Sequence, residues 1–142
     1  MQYFIYNLNN IQHIAHSIIK TIEKKKIILF HGQMGTGKTT LIKEIIKIIS
    51  PDIKDEITSP TFTLLNSYKS NNGFSLYHAD LFRINDESID FLNIEDIIQG
   101  KNTKLFVEWP TDKLKQSIDN QKYIEIFLCY GECEDIRFAI IN

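Results

Sequence analysis

Arginine is scarce in this sequence: of 16 basic residues in 142, only Arg83 and Arg137 carry a guanidinium. Any chemistry that needs an internal guanidinium to stabilise developing negative charge is thus confined to these two positions. A basic excess is also missing. With a net charge of -2, 24% charged and 43% hydrophobic residues, the composition carries no electrostatic footprint for binding nucleic acid on its own. Cysteine is limited to Cys129 and Cys133, with no His or third Cys near enough in sequence to complete a metal pattern, so both read as reduced thiols. No apolar run is long enough to cross a bilayer, and the opening Met-Gln-Tyr-Phe-Ile-Tyr-Asn has no basic segment leading into an apolar stretch. The expectation is a cytoplasmic protein without membrane contact. Repeats, linkers and low-complexity tracts are absent too, and the length suits one domain spanning residues 1–142.

Against that plain background stands Gly32-Gln33-Met34-Gly35-Thr36-Gly37-Lys38-Thr39, a complete phosphate-binding loop. It follows the apolar run Ile27-Ile28-Leu29-Phe30 and leads into a helical pattern from Leu41, the strand–loop–helix order the motif requires. Gly32, Gly35 and Gly37 allow the backbone to wrap a chain of phosphates with amide N–H groups turned inward. Lys38 adds a mobile positive charge. Thr39 offers a hydroxyl to a magnesium ion, and the helix N-terminus favours negative phosphates. Thr36 and Thr40 complete the stretch expected against a nucleoside triphosphate.

The rest of the chain supplies a framework for that loop. Gln2 to Asn7 alternates as a strand, and Asn9-Asn10 offers a cap for a helix with Ile11, Ile14, Ile18, Ile19 and Ile22 on one face. Lys24-Lys25-Lys26 reads as a solvated end to that helix. Leu41, Ile42, Ile45, Ile46 and Ile49 form a second apolar stripe, stopped by Ser50-Pro51-Asp52. Strands are predicted over Phe62–Tyr68, Phe74–His78 and Lys104–Glu108. A turn falls at Lys69–Gly73, and a short helix or two between Asn85 and Gly100. Tyr123–Tyr130 and Ile136–Ile141 form a closing hairpin around Gly131-Glu132. The fold class is α/β: a P-loop NTPase-like three-layer arrangement with a mixed, mostly parallel central sheet, helices on both faces and a C-terminal β-hairpin.

A phosphate loop needs a carboxylate where a neighbouring apolar strand ends. Glu108 after Leu105-Phe106-Val107 and Asp80 after Leu76-Tyr77-His78-Ala79 both qualify; a solvated strand-end acid and a turn cap are the plainer alternatives. Thr58-Ser59-Pro60-Thr61-Phe62 would suit a loop that senses a terminal phosphate, with Thr61 central to it. His78 reads as a hydrogen-bonded structural residue. Trp109, the one tryptophan, either packs in the core or anchors a partner.

Four motifs together, Gly32–Thr40, Thr58–Leu64, Tyr77–Arg83 and Val107–Pro110, closely resemble the TsaE family, also called YjeE, in sequence, order and spacing. The resemblance spans nearly the whole chain. It implies a bacterial ATPase that works with TsaB and TsaD in making threonylcarbamoyladenosine in transfer RNA, meeting the RNA only indirectly. It also implies ATP and Mg2+ as cofactors, Lys38 on the phosphates, Thr39 and Glu108 on magnesium, Asp80 on the metal or attacking water, and Trp109 near the partner interface. Arg83 stands as a further residue for switching or partner contact. The chain departs from the family pattern at Gln33, Ala79, Phe82 and Asn93, where an acid, Phe, Tyr and Gly are common; Asn93 can still adopt a left-handed backbone. A small-molecule kinase would need a lid and substrate pocket for which two arginines provide little material. A guanine-binding switch would carry Asn-Lys-x-Asp, and Asn102-Thr103-Lys104-Leu105 lacks its acid.

Overall fold

The computed structural model describes residues 1–60, 62–84, 93–119, 122–133 and 135–142. Thr61 and residues 85–92, the first half of the 85–100 stretch, lie outside the described residues. The elements are β1 (Gln2–Tyr6), α1 (Ile11–Thr21), β2 (Ile27–His31), α2 (Lys38–Ile49), β3 (Leu65–Lys69), β4 (Ser75–Asp80), α3 (Ile94–Gln99), β5 (Thr103–Glu108), α4 (Asp112–Ser117), β6 (Tyr123–Tyr130) and β7 (Arg137–Ile141). One seven-stranded sheet runs in the order β1-β7-β6-β2-β5-β4-β3. Strand β2 is central and parallel to both its neighbours, β5 and β6, and β4 extends the parallel set. Antiparallel pairings flank it: β3 with β4 at one edge, β7 with β6 and β1 at the other.

Alternation along the buried strands builds two cores. Ile28, Phe30, Phe106 and Ile126 face α1 and α2, meeting Ile14, Ile18, Leu41, Ile42, Ile45 and Ile46. Ile27, Leu29, Leu105 and Val107 face the other way, against Leu114 and Ile118 with Ile94, Ile97 and Ile98 of α3 beside them. Each fully buried aliphatic side chain stabilises by roughly 1.5–3 kcal/mol, more than a helix cap at about 1 kcal/mol, so the stripes decide where the helices lie. Among the described residues no helix is long and apolar enough to cross a membrane.

Several local expectations are corrected. Asn10 does stand at the N-cap of α1 but makes no side-chain cap bond; the side-chain cap is one turn earlier at Asn7, whose oxygen accepts from the amides of Asn9 and Asn10 at 3.0 and 3.3 Å while Asn10 Oδ1 accepts from Asn7 N–H at 2.7 Å. A turn of 3-10 helix, Leu8–Asn10, intervenes. Strand β3 starts at Leu65 rather than Phe62, because Leu64 has φ +66°, which breaks an extended run, and Phe62 is 89% exposed. Lys26 is half-buried rather than freely solvated: its ammonium donates to the carbonyls of Ile98 and Gly100 at 2.6 and 2.9 Å, closing the end of α3. Asn93, at φ +44°, does take the left-handed backbone ahead of α3. The six-residue α4 is too short for periodicity to reveal; Thr111 caps it by accepting from Leu114 N–H at 3.2 Å.

Candidate functional site

Parallel pairing sets the site. Phe30 pairs with Glu108 and Glu108 with Asp80, so β2, β5 and β4 end in line at one edge, where a twisted parallel sheet opens a crevice for ligands. The phosphate loop leaves β2 at this edge. A cleft of about 360 Å³ lies over it, lined by Gly35, Gly37, Lys38, Thr39, Thr40, Asp80, Arg83, Glu108 and Trp109, with Met34, Leu64 and Phe82 at its rim.

Gly32 explains how the loop fits. Its φ is +143°, and a Cβ there would stand 2.4 Å from the carbonyl oxygen of Leu128 on β6, so no larger residue allows this approach. The loop's apex is tied as well, since the Tyr130 hydroxyl donates to the Met34 carbonyl at 2.6 Å. Within the loop, the Thr36 hydroxyl donates to the Gln33 carbonyl at 2.8 Å.

Lys38 is 4% exposed and folded back on its own loop. Its ammonium donates to the carbonyls of Gly32 and Gln33 at 2.7 and 3.0 Å and lies 3.9 Å from the centroid of the Trp109 ring. Burial pushes this amine below the ordinary lysine range, and the charges of Glu108 and Asp80 pull it partly back. Added phosphate oxygens would act in the same direction as those carboxylates. Trp109 is half-buried rather than a core residue: φ of +56° at the end of β5 turns its ring over Lys38 and against Phe82, centroids 4.9 Å apart. Leu64 and Trp109 are non-glycine residues with positive φ, and both line the cleft, as backbone strain at functional sites often does.

Glu108 is not a solvated acid. It is 3% exposed, and its carboxylate accepts from the Thr39 hydroxyl at 2.7 and 2.9 Å and from His78 Nε2 at 2.8 Å. A carboxylate only accepts, so Nε2 of His78 carries the hydrogen, and Nδ1 is buried without a partner among the described residues. His78 is thereby the group behind Glu108 that residue-type reasoning alone left without an address. Asp80 is the turn cap and a cleft residue at once: its Oδ1 accepts from Phe82 N–H at 3.1 Å.

A magnesium ion fits these donors. The Thr39 hydroxyl gives its single hydrogen to Glu108 and keeps its lone pairs, and carboxylate plus hydroxyl is the hard-oxygen set this cation takes. No cluster of three or more His, Cys, Asp or Glu side chains suited to a metal occurs among the described residues. Cys129 and Cys133 are exposed and unbridged.

The two arginines part company. Arg83 lines this cleft, 6.0 Å from the Phe62 ring, while Arg137 lies in a neighbouring cleft across the loop.

Residues 5–137 match the family described as Threonylcarbamoyl adenosine biosynthesis protein TsaE. The chain belongs to the TsaE family. Relatives include proteins named tRNA threonylcarbamoyladenosine biosynthesis protein TsaE from Synechocystis sp. and Nostoc sp.. Each is 34% identical, the matches covering 78% and 80% of this chain and 70% and 68% of theirs. The Rickettsia bellii TsaE is 36% identical over 69% of this chain and 66% of its own. The solved structure of Bacillus subtilis YdiB superposes with a TM-score of 0.63, covering 97% of this chain and 83% of that one; at 20% identity it speaks for the fold. The TsaE-family match takes in the loop, Asp80, Glu108 and Trp109.

Proposed function

We propose that this chain is the ATP-binding and ATP-hydrolysing member of the machinery that makes threonylcarbamoyladenosine in transfer RNA, acting with TsaB and TsaD and meeting RNA only through them. The observation that carries the ATPase reading is the buried Thr39–Glu108 contact at 2.7 Å beside Lys38, with Asp80 one strand away in register. The names of the relatives carry the pathway.

In this reading the loop amides and Lys38 hold the β- and γ-phosphates, the ammonium leaving the carbonyls of Gly32 and Gln33 for phosphate oxygens. Thr39 and Glu108 would hold magnesium, which would supply charge neutralisation on the phosphates. Asp80 orients a water so that its oxygen bonds to the γ-phosphorus while the bond to the β–γ bridging oxygen breaks, giving ADP and a phosphate that carries away the water's protons. Arg83, in the same cleft, is an internal arginine able to meet the charge that develops.

The open rim supports partner dependence. Met34 and Phe82 in the cleft lining are 65 and 50% exposed, and Phe62, whose ring lies 6.0 Å from the Arg83 guanidinium, is 89% exposed, apolar surface that a docked protein would cover and so exclude water from the chemistry. The test is an ATPase assay with and without TsaB and TsaD. Stimulation by the partners and its loss in Lys38→Ala, Asp80→Ala and Glu108→Ala are expected. Turnover indifferent to the partners, or normal turnover by Lys38→Ala, would sink the proposal.

A further inference from the structure

Edge strand β3 carries two polar side chains on one face, Asn66 and Tyr68, which stand opposite His78 and Leu76 of β4 in register. Both reach back to Thr58, eight and ten positions earlier. The Tyr68 hydroxyl, on a residue 7% exposed, accepts from Thr58 N–H and from Asn66 Nδ2, each at 3.2 Å, and donates to the Thr58 carbonyl at 3.1 Å. Its one hydrogen and two lone pairs are thereby used. Asn66 Nδ2 also donates to the Thr58 hydroxyl at 3.0 Å, so the amide, carbonyl and hydroxyl of Thr58 are all held.

The same Asn66 side chain takes hold further along. Its Oδ1 accepts from the Thr63 hydroxyl, so one amide ties Thr58 to Thr63. From Thr63 the next residue reaches the phosphate cleft. Leu64 N–H donates to the carbonyl of buried Pro60 at 2.8 Å, and the Leu64 carbonyl accepts from Asp80 N–H at 3.0 Å. Leu64 lines the cleft at φ +66°, a backbone that a leucine keeps only where its surroundings over-determine it. Asn66, Thr58, Thr63 and Tyr68 all stand outside the cleft lining, so the clip touches no group expected on the phosphates. What it reaches, through Leu64, is the backbone of Asp80.

We propose that Asn66 is a positioning residue for ATP hydrolysis, clipping Thr58 to Thr63 so that Leu64 is fixed and, through the Leu64–Asp80 backbone bond, Asp80 is set toward the reacting phosphate. The assignment rests on reading the cleft as the site of hydrolysis. Steady-state ATPase assays with TsaB and TsaD, beside calorimetric titration with Mg-ADP, test it. Asn66→Ala should lower kcat by about ten- to a hundredfold, the effect of misplacing a reacting group from a distance, while Mg-ADP affinity stays within about twofold. Asn66→Asp, which keeps an oxygen for Thr63 and loses the Nδ2 hydrogens, should recover part of kcat. Thr63→Val, a change to an exposed residue that the fold tolerates, should also lower kcat, and adding it to Asn66→Ala should slow turnover no further, because both variants cut one link. Unchanged kcat in Asn66→Ala or in Thr63→Val, or an equal loss of kcat and Mg-ADP affinity, would overturn the positioning role alone, provided that Lys38→Ala and Asp80→Ala lose turnover. Normal turnover by those two variants would overturn the hydrolysis reading, and the positioning role with it.

Discussion

Glu108 owes its position to two donors on different elements, Thr39 at the start of α2 and His78 on β4, and each can be removed separately. Replacing His78 with Leu keeps an apolar bulk but leaves one carboxylate oxygen with less support. The expected cost is about 1–3 kcal/mol in urea unfolding, with weaker Mg-ATP binding. His78→Gln, whose amide can donate from nearly the place of Nε2, should recover part of both. Glycine makes a sharper contrast. Gly32→Ala meets the Leu128 carbonyl at 2.4 Å and should disrupt the loop and lose nucleotide binding, whereas at Gly37 a Cβ meets nothing within 4 Å and only φ +93° resists it. Gly37→Ala should therefore fold, at a cost of about 1–2 kcal/mol, as measured by thermal unfolding.

At the scale of elements, buried polar links join parts that periodicity treats as independent. Lys104 of β5, 7% exposed, donates to the carbonyls of Ile22, Glu23 and Lys25 at 2.8, 3.0 and 2.8 Å, closing the end of α1. Lys104→Met keeps the stem and strips three donors, so roughly 2–3 kcal/mol of stability should be lost in urea titration. His31 links β2 to β6, its Nε2 2.9 Å from Glu125 and its ring stacked on Phe127 at 4.4 Å. Burial pushes this imidazole below its ordinary 6.5, with Glu125 pulling partly back. The unfolded chain then binds the proton more readily. Stability present above pH 6.5 is lost as the pH falls from there toward the folded value. Thermal unfolding between pH 7.5 and 5 should show a smaller acid loss for His31→Asn than for the parent.

At the scale of the molecule, the sheet order concentrates function at one edge. Three parallel strands end together at the phosphate loop, and the antiparallel β1-β7-β6 set brings Tyr6, Arg137 and Tyr130 to its other flank. The apolar rim is the remaining feature of that edge. Phe62→Ser, which alters a ring 89% exposed, should leave ATP affinity unchanged while reducing stimulation by TsaB and TsaD. Unchanged stimulation would remove Phe62 from the partner surface.

Local chemistry was legible before folding because it is written in contiguous residues. The loop, the stripes of α1 and α2, the strand before the loop and the closing hairpin all depend on spacing within a short window. The two carboxylates could be named from their strand ends, but spacing could not tell a buried Glu108 from a solvated one, because burial depends on which strands lie beside it. Lys26 and Lys104 show the same limit: a lysine looks solvated until the carbonyls it serves, 72 and 82 positions away, are brought alongside. The left-handed backbone of Trp109, the His78–Glu108 bond and the Tyr6 hydroxyl, unpaired among the described residues, likewise exist only through the register of the sheet. The sequence by itself determined that a phosphate loop sits between a buried strand and a helix. Tertiary structure decided which side chains surround it, because hydrogen bonds and desolvation act through distances that chain order does not set.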